Sequence, residues 1–430
     1  MRNIFLIVFI LVVLAAPCGS VALQKLSPSF ATFVSTDQQK ANYLAGSKDT
    51  QTPIKENLSL ASFIKGDLQA SIENKLDAKT PGRYYALLGY AASQRIFIET
   101  SNSLFNFDVY PARYSNDALY LPESNSLAGM PLQCTARLTE KLSWTAEKFA
   151  NLARDYPDKH FCIIVADISN TSSIQPASRL NNNLLSTNET ASLFEESCKE
   201  VPNVTVFSES YSDLSSYYNN HYTTDHHWNG WGALSAYKQA ISKIEIEQQA
   251  ETTSLEINDS WKKIENFEEI AENGSYSRSG LMLLNEPVNE PKIPLEKIEI
   301  VSNTSLNGKD AALPKLIEPN KTETAKYKLA SEFNFYETWY GGSINTITTN
   351  EASNTHKSAI VIGDSYSSAF RWIAATRFDR VTSLQDFRGN AQRVTHVRET
   401  LDSNSADYVF FVAATQNYFK TADKFPNYFD

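Results

Sequence analysis

Three observations point to an α/β protein built on a parallel sheet. Short apolar runs stand at 161–166, 359–362 and 408–412, with a further candidate strand at Val204-Thr205-Val206-Phe207, the pattern of strands buried on both faces. Segments of helical spacing stand between them, at 136–155, 231–247 and 367–377, and strand–helix alternation implies a parallel sheet covered by helices. The composition agrees: 430 residues that are 42% hydrophobic and 12% aromatic exclude a disordered chain and leave ample material for a core. A formal net charge of −10 with no basic block excludes a nucleic-acid partner from the reading.

Taken in order, residues 1–22 have the form of a secretory signal. Arg2 gives a positive start, 4–16 is an uncharged apolar run, and Ser20-Val21-Ala22 supplies small residues for cleavage. The run is short for a membrane span, so a secreted or extracytoplasmic location is expected, with an uncleaved signal anchor as the competing reading. Residues 23–56 are polar with little periodicity and read as an extended lead-in, and 58–76 reads as a helix ending before Thr80-Pro81-Gly82. The helix at 136–155 and the strand at 161–166 open the α/β domain, the strand at 204–207 and the helix at 231–247 continue it, and the remaining strands close it. Between these halves, 246–340 is charged, carries several prolines, and reads as an insertion of short strands and loops. The expected division is therefore a signal at 1–22, an N-terminal lead-in and helix at 23–100, the first half of the domain at 101–245, the insertion, and the second half at 341–430.

Cys134, Cys162 and Cys198 follow the signal. An odd number is compatible with one disulfide and a thiol or with three free thiols, and the sequence does not choose a pair.

Chemistry concentrates in two places. At Gly363-Asp364-Ser365-Tyr366 a buried strand passes directly into a helix, which puts Ser365 at the carboxyl end of a parallel strand, where such sheets place ligands. The helix N-terminus adds N–H groups suited to an oxyanion, although a polar turn that merely caps the helix has the same sequence. A serine needs a base, and a histidine base needs an orienting carboxylate. Thr224-Asp225-His226-His227-Trp228 supplies both: residues two apart in extended backbone share a side, so Asp225 would orient His227 while His226 points elsewhere. A metal set of His221, Asp225, His226 and His227 matches no standard zinc spacing, and the reading assigns neither metal nor cofactor.

Asp225-His226-His227-Trp228, followed by Asn229-Gly230-Trp231-Gly232-Ala233, resembles the signature of the bacterial DHHW proteins, which are similar to the alginate O-acetyltransferase family with its Asp-x-His-Trp motif. The segment 57–83, with Phe63, Gly66, Leu68, Glu73 and Pro81-Gly82-Arg83, resembles the region ahead of the catalytic domain in that family. Tyr340-Gly341-Gly342 and Gly363-Asp364-Ser365-Tyr366 follow in the same order, so the resemblance covers 55–425. Many DHHW-type proteins have Lys where Gly363 stands.

The resemblance implies an SGNH-hydrolase-like domain, a three-layer α/β/α sandwich. It implies Ser365 as nucleophile, His227 as base and Asp225 as its orienter. The Ser365 N–H is the natural oxyanion donor, with Gly342, Arg388 and Asn390 as further candidates. Trp228 and Tyr340, beside Trp231 and Trp339, are candidate surfaces for sugar rings. The expected function is acetyl or other acyl transfer to, or hydrolysis from, an extracellular or cell-wall polysaccharide. A membrane-bound O-acyltransferase is the implied source of the acetyl group. The competing expectation is a glycan-binding or polysaccharide-assembly protein that keeps the fold without turnover.

Overall fold

The structure is a computed structural model that describes residues 20, 22–44, 81–105, 118–129, 136–169, 171–174, 185–258, 260–264, 271–272, 274–279, 284, 286–305, 309–311, 313–314, 316, 335–342, 344–385 and 397–418. The chain divides into two compact units, one of residues 1–122 and 277–284, the other of 123–276 and 285–430. The signal segment 1–19, the helix expected at 58–76, Cys134, Arg388 and Asn390 lie outside the described residues. No helix among the described residues is long and apolar enough to cross a membrane.

Among the described residues of the first unit, two long helices pack together, α1 (Pro28–Leu44) and α2 (Arg83–Phe105). Helix α1 lies where the sequence reading expected an extended lead-in. Pro28 begins it, where its fixed φ suits the first helical position, and the Ser27 hydroxyl accepts the Phe30 N–H. Its buried stripe is Val34, Asp37, Gln38 and Ala41. The spacing is helical, but half of these side chains are polar, which hid the stripe from a hydrophobicity pattern. Asp37 uses its carboxylate to accept the Arg83 N–H at the start of α2, at 2.9 Å.

The second unit is built on a seven-stranded sheet. In chain order its strands are β1 (His160–Ala166), β2 (Val204–Ser208), β3 (Ile298–Ser305), β4 (Ile344–Asn350), β5 (Ser358–Gly363), β6 (Arg380–Leu384) and β7 (Tyr408–Ala414). In space they run β2-β1-β7-β5-β6-β4-β3. The first five are mutually parallel, and β4 and β3 complete one edge antiparallel. The three apolar runs and the candidate strand at 204–207 are therefore parallel strands. Strand β3 comes from within the 246–340 segment.

The helices of this unit are α3 (Ala136–Asp155), α4 (Thr187–Cys198), α5 (Leu214–Asn220), α6 (Gly230–Gln248), α7 (Phe335–Tyr340), α8 (Ser367–Ala375) and α9 (Val397–Ser403). Successive strand residues alternate between two apolar clusters, as the pleat requires. Cys162, Ile164, Val361, Phe410 and Val412 pack with residues of α6 and α8. Phe161, Ile163, Ile360, Ile362 and Phe411 pack with residues of α3, α4 and α9. Cys162 and Cys198 are buried free thiols.

Three helices of this unit start on side-chain caps, and two of them, α5 and α6, flank the site loop. Ser186 and Glu189 form a reciprocal capping box on α4, Asp213 and Ser216 do the same on α5, and Asn229 caps α6 through the Gly232 N–H, each satisfying otherwise unpaired helix donors. The 221–229 loop between α5 and α6 is closed by the His221–Trp228 bridge. The Asn229 N–H also donates to the Asn220 carbonyl at 2.9 Å.

Candidate active site

Strand β5 ends at Gly363. A side chain there would lie 2.1 Å from the Val412 carbonyl oxygen of β7, so close strand–strand packing requires the glycine; its φ is not positive. Asp364 then holds the turn. One carboxylate oxygen accepts the Tyr366 N–H at 2.8 Å. The other accepts the Ala414 N–H at 3.0 Å and the Asn417 amide at 2.6 Å. No side chain caps α8, whose N-cap position is Tyr366; Asp364 holds the turn ahead of it, and the Ser365 side chain takes no part in capping.

That side chain meets His227. Ser365 Oγ lies 2.7 Å from His227 Nε2, and His227 Nδ1 lies 2.8 Å from Asp225 Oδ1. With Nδ1 donating to the carboxylate, the neutral ring offers Nε2 as acceptor for the serine proton. Asp225 is buried, and burial alone would raise its pKa. The adjoining imidazoles of His226 and His227 outweigh that, and its pKa lies well below the ordinary carboxylate value.

Asp225 is held from a second direction. Its Oδ2 accepts the Ser275 N–H at 2.8 Å, and Ser275 Oγ lies 3.3 Å from Oδ1. Gly274 faces the same carboxylate, and a Cβ on it would lie 2.3 Å from Asp225 Cβ and 2.4 Å from Oδ2. Sequence reasoning missed both residues. Asn273-Gly274-Ser275 carries only the pattern of a glycosylation sequon.

His226 departs from expectation. The backbone curls around the carboxylate, with the N–H groups of both His226 and His227 directed at Oδ1. Strand-like alternation therefore fails, and His226 Nδ1 also lies 2.8 Å from Asp225 Oδ1. It lies 2.7 Å from Ser275 Oγ as well. The His226 ring sits 3.8 Å from that of His227.

On His227 a second ring, Tyr336 of α7, stacks at 4.3 Å and 15°. The Tyr336 hydroxyl reaches the Ser365 carbonyl at 3.0 Å and the Tyr366 carbonyl at 3.2 Å. Tyr366 packs against the imidazole at 5.2 Å, and its hydroxyl donates to the His226 carbonyl. No spacing in the sequence signals Tyr336.

The other expected site residues separate from this group. Trp228 and Tyr340 are fully buried and present no face to a sugar. The Trp228 indole donates to the Tyr366 carbonyl at 3.1 Å, and the Tyr340 hydroxyl donates to Glu290 at 2.6 Å. Trp339 is buried as well, and Trp231 packs half-buried against the same core. Gly342 is no oxyanion donor, because its N–H already donates to the Glu337 carbonyl at 2.9 Å. The Ser365 N–H has no hydrogen-bond partner among the described residues.

Asp225, His226 and His227 offer three metal-ligand atoms within 4.8 Å of one another. His226 Nδ1 and His227 Nδ1 each lie 2.8 Å from Asp225 Oδ1, and an ion at that point would have to displace this pairing. His221, the fourth member considered from sequence, is engaged elsewhere, with Nε2 at 3.0 Å from the Asp167 carbonyl.

A buried aspartate, a histidine and a serine in one hydrogen-bonded line at the end of a mostly parallel sheet is the arrangement used by serine-dependent acyl-transfer enzymes. The chain is similar in structure to a DHHW family protein from Eubacterium siraeum, at 13% identity and a TM-score of 0.48 over 70% of this chain and 91% of the other. It is similar to PatB1 of Bacillus cereus, at 15% identity and a TM-score of 0.48 over 70% and 97%. A further similarity is to the O-acetyltransferase domain of Pseudomonas putida AlgJ, at 11% identity and a TM-score of 0.33 over 70% and 90%. No family model and no curated protein matches the chain in sequence.

Proposed function

We propose that the protein is an exported serine-dependent O-acyltransferase or esterase, with acetyl as the acyl group and an extracellular or cell-wall polysaccharide as acceptor. The observation that carries this reading is the line from Asp225 through His227 to Ser365, with contacts of 2.8 and 2.7 Å. His227 takes the Ser365 proton as Oγ attacks the carbonyl carbon of an acyl donor. The tetrahedral intermediate places its oxyanion on the Ser365 N–H, and His227 returns the proton to the leaving group as the acyl-serine forms. A sugar hydroxyl or a water, deprotonated by the same imidazole, then releases the acyl group. The resemblance of 225–228 to the DHHW motif favours the sugar. It also supports a three-layer, SGNH-like arrangement and an acetyl supply from a membrane-bound O-acyltransferase.

The test is the intact mass of the protein after incubation with an activated acetyl ester, beside Ser365→Ala. One acetyl adduct on the wild type alone is expected. Rapid ester turnover without an adduct, lost in Ser365→Ala, would favour the esterase. Neither adduct nor turnover in folded protein would sink the catalytic reading in favour of a glycan-binding protein.

A further inference from the structure

Two rings lie nearer to His227 than Tyr366 does. His226 lies at 3.8 Å and Tyr336 at 4.3 Å between centroids, the latter nearly parallel at 15°. Two rings that close to a third cannot share one of its faces, so Tyr336 and His226 cover opposite sides. The Tyr336 hydroxyl meanwhile reaches the carbonyls on both sides of the Ser365–Tyr366 bond, and it accepts from the Trp228 indole at 3.2 Å. It also accepts from the Ala369 N–H of α8, at 3.4 Å. One side chain therefore touches the base, the turn that carries the nucleophile and the tryptophan that follows the base. It comes from α7, an element outside both motifs, and it is 1% exposed, so substrate does not reach it.

We propose that Tyr336 is a positioning residue for acyl transfer, resting on the reading of Ser365 and His227 as nucleophile and base. Its hydroxyl fixes the backbone at Ser365, which holds Oγ at hydrogen-bonding distance from Nε2. Its ring face carries negative quadrupolar charge toward the imidazole and stabilises the imidazolium that forms when Ser365 gives up its proton. The groups near His227 include Asp225, His226 and the neutral His221 from its own loop, Ser365 and Tyr366 from the nucleophile turn, and Tyr336. Among them Asp225 and Tyr336 favour the charged ring, and a protonated His226 opposes it.

The experiment compares wild type, Tyr336→Phe and Tyr336→Leu in hydrolysis of an activated acetyl ester across pH, with thermal unfolding recorded for each. Tyr336→Phe keeps the ring and loses the hydroxyl; kcat is expected to fall roughly tenfold with KM and the acid limb unchanged. Tyr336→Leu also loses the ring face, and its acid limb is expected to move to lower pH by about 0.5 to 1, with a lower plateau. A purely structural role would lower the melting temperature and leave the limb where it is. Folded Tyr336→Phe with wild-type kcat, or Tyr336→Leu with an unmoved limb, overturns the positioning role. Absence of Ser365-dependent turnover in the wild type would instead overturn the reading on which it rests.

Discussion

Two buried acid–histidine groups sit near the carboxyl end of the parallel strands, and their chemistry is opposite. In the first, Asp225 accepts from two imidazoles and three backbone N–H groups and stays ionised. In the second, Asp167 and Glu209 follow β1 and β2 with fewer donors. Glu209 accepts from the Asp167 N–H and the Tyr211 hydroxyl, while Asp167 accepts from Thr187 at 2.6 Å. Burial dominates there and pushes Glu209 up to about 8 and Asp167 up to about 6. His221, stacked on Tyr217 at 4.1 Å, is pushed down to about 3 by the same burial and stays neutral. Burial is common to both groups, and the supply of N–H donors and cations decides which carboxylate keeps its charge. The first group is equipped to support a developing imidazolium, while the second ties the ends of β1, β2 and α5 together.

The contrast predicts unequal responses to near-isosteric changes. Asp225→Asn removes the charge and can reverse the His227 tautomer, so ester turnover should fall by about 10²–10⁴-fold while the circular dichroism spectrum is retained. Turnover within twofold of wild type would erase the distinction between the groups. Gly274→Ala presses a methyl into the Asp225 carboxylate, at 2.3–2.4 Å on the unshifted backbone. A displacement of that kind should lower kcat about a hundredfold, and a crystal structure of the variant should show Asp225 moved off His227.

Glu209→Gln is the smallest perturbation and acts on stability rather than turnover. The Gln amide can accept from the Asp167 N–H and donate to the Tyr211 hydroxyl, which accepts as readily as it donates. Because the folded pKa is raised, the folded state binds the proton more tightly than the unfolded one. The contribution of Glu209 is then fully present below its ordinary value of 4.5 and is lost as pH rises to about 8. Chemical denaturation across that window should show a one-proton slope from this group that disappears in Glu209→Gln, with ester turnover unchanged. An unaltered slope would remove Glu209 from the account.

Much of the contrast was legible beforehand, but unevenly. Continuous apolar runs announce β1, β5 and β7 because a strand buried on both faces leaves no room for polar alternation, and β2 breaks its run only at Thr205. Ser365, His227 and Asp225 were visible because the nucleophile follows such a run directly and the acid and base share one tetrapeptide. Ser275, Gly274 and Tyr336 were not, since their contacts join segments 29 to 109 residues apart in sequence and depend on backbone placement alone. The expectation for His226 failed for a local reason: Asp225 draws the next two N–H groups to one oxygen, and the backbone abandons the extended form that alternation assumes. Trp228 and Tyr340 misled because an aromatic side chain reads the same in a core as at a sugar site.

The order of the sheet has a consequence for how the protein is made. Among the described residues β7 is the last strand in sequence, yet it lies inside the sheet, hydrogen-bonded to β1 on one side and β5 on the other. Until residues 408–414 leave the ribosome, β1–β2 and β5–β6 have no shared edge, and Asp364 lacks the Ala414 and Asn417 donors that set the serine turn. Closure of so non-local a sheet is slow relative to local helix formation. The nascent chain therefore keeps its sheet open and its serine turn unset until residues 408–417 have been made.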